Sequence, residues 1–454
     1  MFMDKTVCEL FAGVGGFRCG LNHLNLPAEK KEEKWRTVWF NQWEPAEKTT
    51  QYAHDCYVYN FSKSFDLDGN DTTNLNIEDV DKSKIPDFNL LVGGFPCQDY
   101  SVASTLHTSK GLEGKKGVLW WSIRDTIEKK KPPFVLLENV DRLLKSPAKQ
   151  RGRDFGVMLT CLRDQGYNVE WRVINAAEYG YQQRRRRVFI FAYRTNTNFS
   201  NRVIKSDVNL FLVKNIIKEN GFFAKTFKIK DISVDNIKST ILPEEIGPVS
   251  REFKFEFMNS GIMINGVIYT IKTEAHYNGK YKTLGDILET EEVDESYFIP
   301  DESLYYTDSS VKRSDESQNK LSKEERKTWQ YLKGGKELKR KSSSGHKYIF
   351  SEGAIPLVDE WDKPARTMLT SEGNFNRSTH VVKDKLTGRL RLLTATETER
   401  IQGFPTNHTK YCLTNGKVVR MPEKKRRFMM GNALVVNLIE DMEKTLSEIF
   451  ENED

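Results

Sequence analysis

No apolar run in this 454-residue chain reaches the roughly 18 residues that a membrane-spanning helix needs, which excludes that kind of anchor. The opening residues, MFMDKTVCELFAG, lack the charged start, long apolar stretch and small-residue cleavage site of a secretion signal. Cysteine is sparse: Cys8, Cys19, Cys56, Cys97, Cys161 and Cys412 never fall into a CxxC spacing. Neither a zinc site nor a disulfide framework is therefore predicted, and a reducing cytoplasm is the expected setting. A large excess of one charge is also missing. Lys and Arg total 70 against 64 Asp and Glu, so clustering says more about a polyanionic partner than the net +6 does.

What is present is enough apolar and aromatic material for a packed core, 38% and 11% respectively. The length suits one large domain and a smaller one. Through residue 195, β-rich runs such as FNLLVGGF, PPFVLLENV and RVFIFAY alternate with helical patterns such as VLWWSIRDTIEKK and FGVMLTCLRDQG. Continuously apolar strands interleaved with helices predict an α/β fold, a mostly parallel sheet covered on both faces. At RTNTNFSNR the texture turns polar, and up to about residue 380 it is irregular and β-rich. Helical patterning returns in TATETERIQGF and GNALVVNLIEDMEKTLSEIF. The expected organisation is a first catalytic part at 1–198, a smaller domain at 199–379, and a return to the catalytic body at 380–454.

Four stretches can carry chemistry. ELFAGVGGFRCGL runs a strand through Gly13, Gly15 and Gly16 into a helix, which suits either a ligand at a helix N-terminus or an ordinary tight βα turn. WFNQWEP then offers Gln42, Trp43 and Glu44, an amide, an indole and an acid, to a ribose and a flat ring. GGFPCQDYS places Cys97 at a strand end behind Pro96, where the thiol is either a buried structural group or a partly exposed nucleophile needing a cation to activate it. FVLLENV ends in Glu138, a helix cap or a carboxyl group on the same sheet edge as Cys97. QQRRRRVFIF feeds arginines into an apolar strand, and alternation puts Arg185 and Arg187 on one face.

These pieces in this order resemble the cytosine-5 DNA methyltransferase family. FAGVGG resembles its first motif, GGFPCQDYS the Pro-Cys loop, ENV the glutamate motif, QQRRRRVFI the QxRxR motif, RLLTATETERIQGFP the ninth and GNALVV the tenth. The resemblance covers roughly residues 5 to 195 and 364 to 440, and assigns the irregular stretch between them to target recognition. It implies a Rossmann-like fold and S-adenosyl-L-methionine as cofactor, with no metal. The implied cofactor residues are Phe11, Gly13, Gly15, Gly16, Gln42, Trp43, Asn76, Pro96, Leu119 and Asn432. Glu9, Gln42 and Asn76 stand where the family usually has Asp, an acid and Asp.

By the same resemblance Cys97 attacks carbon 6 of a cytosine flipped out of duplex DNA. Glu138 serves N3 of the ring, Arg185 and Arg187 orient the base, and Ser101, Thr367 and Met368 approach the DNA. The chain is then expected to be a monomeric bacterial or phage modification enzyme, with a restriction endonuclease acting separately. Three alternatives are a DNA-binding relative without catalysis, an RNA-directed methyltransferase and a dinucleotide-dependent oxidoreductase. Against the first, Cys97, Glu138, Arg185 and Arg187 all stand. Against the second, the recognition region is large; against the third, nothing in a hydride transfer uses Cys97 and the arginines.

Overall fold

A computed structural model describes residues 2–24, 34–45, 47, 50–95, 119–205, 207–305, 321–341 and 345–453. Pro96, Cys97 and Ser101 lie outside these described residues. One sheet organises the chain, with strands β1 (Thr6–Leu10), β2 (Arg36–Asn41), β3 (Leu90–Gly94), β4 (Phe134–Val140), β5 (Tyr167–Asn175), β6 (Arg186–Arg194), β7 (Lys238–Ile241), β8 (Ser260–Ile264) and β9 (Val267–Ile271). Their order is β2-β1-β3-β4-β6-β5-β8-β9-β7. The pairings β2-β1-β3-β4 are parallel, and every pairing from β4-β6 onward is antiparallel. Strands β1 to β5 and β9 consequently point one way, and β6 to β8 the other. This is the α/β architecture expected from the sequence. The sheet also crosses residue 198, because β7 to β9 extend it from the edge of β5.

The continuous apolar runs arise because both faces are covered. Phe134 and Leu136 of β4 enter one buried cluster, and Val135 and Leu137 the other. The helices that position the site are α1 (Gly16–Leu21), α2 (Tyr52–Phe61), α3 (Leu119–Lys130), α4 (Arg153–Asp164), α5 (Ala395–Gln402), α6 (Glu423–Asn432) and α7 (Val436–Glu451). On the first face, α7 buries Leu438, Ile439, Met442, Leu446, Ile449 and Phe450, a helical-period stripe. On the other face lie Trp120, Ile123 and Ile127 of α3 with Phe155, Met158, Leu159 and Leu162 of α4. Each such side chain contributes about 1.5–3 kcal/mol when fully buried. The α1–α7 contact depends on Gly20, whose added Cβ would stand 2.4 Å from the Ile439 Cβ. The C-terminal helix thus docks directly on the glycine-rich helix.

Candidate active site

The carboxyl ends of β1, β3 and β4 meet at one edge, with Leu10 level with Gly93 and Gly94 level with Glu138. Both glycines are needed for close packing. A Cβ on Gly93 would lie 3.0 Å from the Leu10 carbonyl oxygen, and one on Gly94 3.2 Å from Glu138 Oε2. Glu138 is buried. Its Oε1 lies 2.8 Å from Nε of Arg187, the second residue of antiparallel β6 beside it. The next residue, Asn139, donates from Nδ2 to the Phe95 carbonyl at 2.9 Å and accepts the Val140 N–H at 2.8 Å. It therefore anchors the backbone immediately before Pro96. Sequence reasoning passed over Asn139, although a polar amide inside a buried strand end was the available signal.

The arginine run alternates as predicted, with Arg184 and Arg186 exposed and Arg185 buried. Arg187 pairs with Glu138, while Arg185, 1% exposed, sends its two terminal nitrogens to the carbonyls of Met368 (3.0 Å) and Gly431 (3.1 Å). Burial, and then the neighbouring Arg187, push its pKa down to about 9 against the pull of Glu138. Arg187 thus sits with Glu138 at the strand edge, and Arg185 clamps two distant segments.

One of those segments carries Thr367 and Met368. Ala365 donates to the Gln182 carbonyl and accepts from Arg184 N, both at 2.8 Å, and Thr367 Oγ1 donates to the Arg184 carbonyl at 2.5 Å. Met368 N donates to Gln183 Oε1 at 3.1 Å. The Met368 side chain is 0% exposed and belongs to the core, whereas Thr367, expected beside it at the DNA, is not buried. Backbone pairing turns the Met368 side chain inward and leaves Thr367 at the surface. Gln182 reaches the Arg400 and Ile401 carbonyls, and Gln183 reaches Gln402 at 3.1 Å. The QxRxR-like stretch is thereby fastened to α5.

The glycine turn has left-handed backbone at Phe11 (φ 54°), Gly13 (φ 57°) and Gly15 (φ 88°). A Cβ on Gly15 would stand 2.4 Å from the Phe61 ring, whereas one on Gly13 would meet nothing within 4 Å. The turn therefore packs on one side and faces open space on the other. Gln42 Oε1 accepts the Gly13 N–H at 2.7 Å, and Trp43 beside it is 40% exposed. Glu44, the acid that could have replaced Gln42, accepts the Ala53 N–H at 2.8 Å at the start of α2. Asn76 caps the short turn Ile77–Asp79. Leu119 begins α3 partly buried, and Asn432 ends α6 exposed. Beneath the turn, burial raises Glu9 to about 7, with the Tyr57 hydroxyl at 2.9 Å opposing the shift. The open space at Gly13 and the exposed indole fit a ligand with a flat ring. Among the described residues no group of three or more His, Cys, Asp and Glu could hold a metal, and no helix is long and apolar enough to cross a membrane.

The ninth-motif stretch supplies scaffold. In α5, Thr394 and Glu397 form a capping box. Glu397 also takes the buried Arg391 guanidinium through two 2.8 Å contacts and the Glu289 N–H at 2.7 Å. Glu399 likewise meets Arg426 of α6 at 2.9 Å.

A family model described as C-5 cytosine-specific DNA methylase matches residues 5–448. The Type II methyltransferase M.Sau3AI of Staphylococcus aureus is 45% identical over 439 residues, which cover 96% of this chain and 94% of that protein. The Type II methyltransferase M.HhaI of Haemophilus parahaemolyticus is 30% identical over 193 residues, 42% of this chain and 50% of its own. Among solved structures, the S. pombe Dnmt2 methyltransferase superposes with a TM-score of 0.52 over 98% of each chain at 15% identity, a likeness of fold.

Proposed function

The chain belongs to the C-5 cytosine-specific DNA methylase family and is a DNA cytosine-5 methyltransferase; from that premise we propose how its own residues carry the reaction. Carbon 5 of cytosine is a weak nucleophile. Attack of the Cys97 thiolate on carbon 6 forms an S–C bond and shifts the ring's π electrons, making carbon 5 enamine-like. Glu138 gives a proton to N3 as those electrons arrive there. Arg187 holds that carboxyl group in place and offsets negative charge near the thiolate. After methylation a base such as water or hydroxide takes the carbon 5 proton, N3 returns its proton to Glu138, the double bond re-forms and the Cys97 sulfur leaves as thiolate. The observation that carries this reading is the Glu138–Arg187 pair, at the strand edge from which the Pro96-Cys97 loop departs.

S-adenosyl-L-methionine, when bound, supplies an electrophilic methyl group. Phe11, Gly13, Gly15 and Gly16 would hold it at the turn, with Gln42, Trp43, Asn76, Leu119 and Asn432 around it; Pro96, outside the described residues, joins them by the family resemblance. The open space at Gly13 supports this placement. Carbon 6 is reached perpendicular to the ring, so the target cytosine leaves the duplex stack at a cost of a few kcal/mol. Ser101 and Thr367 meet the DNA. The enzyme acts as a monomer in the cytoplasm and provides the modification half of a restriction-modification pair. M.Sau3AI and M.HhaI, both Type II methyltransferases, support that placement.

The test is direct. Purified protein with duplex DNA and labelled cofactor is expected to yield 5-methylcytosine in a fixed sequence context, and cofactor binding without 5-methylcytosine in any context sinks the reading. Cys97→Ser is expected to lose turnover by on the order of 10⁴-fold or more while still binding duplex. Retained methylation rules out Cys97 as nucleophile.

A further inference from the structure

Residues 329–352 build a feature that the catalytic reading leaves without a role. The short helix Trp329–Lys333 leads into β10 (Lys336–Lys341), which pairs antiparallel with β11 (Lys347–Glu352) as a separate two-stranded sheet. The register places Lys336 opposite Glu352, Leu338 opposite Phe350 and Arg340 opposite Tyr348. Alternation puts those pairs on one face, and Glu337/Ser351, Lys339/Ile349 and Lys341/Lys347 on the other.

The first face is turned toward the protein at its root, while Arg340 and Tyr348 at its outer end are exposed. Lys336 is buried, donates to the Leu332 carbonyl at 2.9 Å and lies 3.5 Å from Glu352. Arg377 meets the same glutamate at 2.6 Å, and Arg340 covers the half-buried Phe350 ring at 3.8 Å. The second face is exposed along its length, and at its outer end three lysines surround Ile349, which is 67% exposed. A lone two-stranded ribbon is marginal in water, so its orientation must be set at its root. There the buried Lys333 donates to the Thr379 carbonyl at 2.7 Å and lies 3.8 Å from Asp359, which also takes Arg366 at 2.6 and 3.1 Å. Arg366 directly precedes Thr367, on the segment docked against Gln182 to Arg185. The ribbon and the arginine strand are therefore held by one connected set of buried contacts.

We infer that this ribbon enters the major groove of the duplex with the Lys339, Lys341, Lys347 and Ile349 face toward the base edges, making it a sequence-reading element of the enzyme. The inference rests on the methyltransferase reading above. The major groove is wide enough to admit a two-stranded ribbon, and it presents both acceptor atoms and thymine methyl groups. Lysines on this face match the acceptors and the flanking phosphates. Ile349, an apolar side chain set among cations, matches a methyl group and has no use toward phosphate.

Wild type, Ile349→Ala and the double variant Lys341→Ala/Lys347→Ala, each in the full chain, test this with a library of duplexes randomised around a cytosine. Methylation is read at base resolution, duplex binding is measured against salt, and thermal unfolding checks the fold. Ile349→Ala is expected to reduce the preference for the favoured sequence over single-base variants by about tenfold. The double variant is expected to weaken binding to all sequences and to lower the log–log salt slope by about 1–2. Folded variants that keep wild-type preference and slope, beside a wild type that methylates, overturn the ribbon assignment alone. A wild type that makes no 5-methylcytosine overturns the methyltransferase reading instead. In that case an unchanged salt slope in the double variant also overturns the ribbon.

Discussion

Two buried charge clusters in this chain are built on opposite rules. Around Arg391 all three nitrogens are engaged: Nε meets Asp384 at 3.0 Å, and the terminal nitrogens meet Glu397 twice at 2.8 Å and the Leu392 carbonyl at 3.1 Å. Glu397 is saturated in turn by the N–H groups of Glu289 and Thr394. At the strand edge, among the described residues, Glu138 meets one cation, Arg187, and its second oxygen faces a glycine without a side chain. Saturation fits a scaffold, because a buried charge is tolerated only when its hydrogen-bonding capacity is met. An open side beside a buried carboxyl group is what the proton transfer proposed for Glu138 requires.

The contrast breaks first, and by the largest margin, at Glu138. Glu138→Gln keeps the shape and removes the acid, so single-turnover methylation should fall by about 10²–10⁴-fold with a melting temperature close to wild type. A destabilised protein with an intact rate would erase the distinction. Arg391→Met should do the reverse. It strands Asp384 and Glu397 without their cation, and stability should drop by about 3–5 kcal/mol in denaturant titration, with the rate of the folded fraction unchanged. Unaltered stability would show that saturation does not mark scaffold here.

Glu9 sharpens the comparison, since it is buried with Tyr57 as its hydroxyl partner and a folded-state pKa of about 7. The folded chain therefore keeps a proton that the unfolded chain releases near 4.5. That contribution is complete below about pH 4.5 and is lost as pH rises through 7. Glu9→Gln should flatten the fall in stability between pH 5 and 8 by roughly 2 kcal/mol. An identical pH profile in the variant would remove Glu9 from the account.

Much of this was legible in the sequence, for local reasons. Runs such as FVLLENV declare a strand buried on both faces, and Glu138 at its end announces a sheet edge. Alternation correctly separated Arg185 and Arg187 from Arg184 and Arg186. It did not show that the Met368 and Gly431 carbonyls occupy Arg185, because those partners come from distant turns of the chain. The burial of Met368 was hidden for the same reason: a Thr-Met pair carries no sign of which side chain the backbone bridge at Ala365 will bury. GIMINGVIYTI read as β-like, but its attachment to β5 is a tertiary choice. Gln42 read as a ribose partner, and its grip on Gly13 depends on two loops meeting.

The Arg185 socket also fixes when in synthesis the enzyme can be finished. Its two carbonyl walls lie 183 and 246 residues downstream, and neighbouring Gln182 waits for Arg400, 218 residues on. Contacts of such span close slowly, after local helices and hairpins. A nascent chain that has emerged through β6 contains both Glu138 and Arg187, yet Arg185 still has nothing to clamp. The socket is completed only when Gly431 has left the ribosome, just ahead of the helix that closes on Gly20. Assembly of the socket thus waits for the segments that carry Met368 and Gly431.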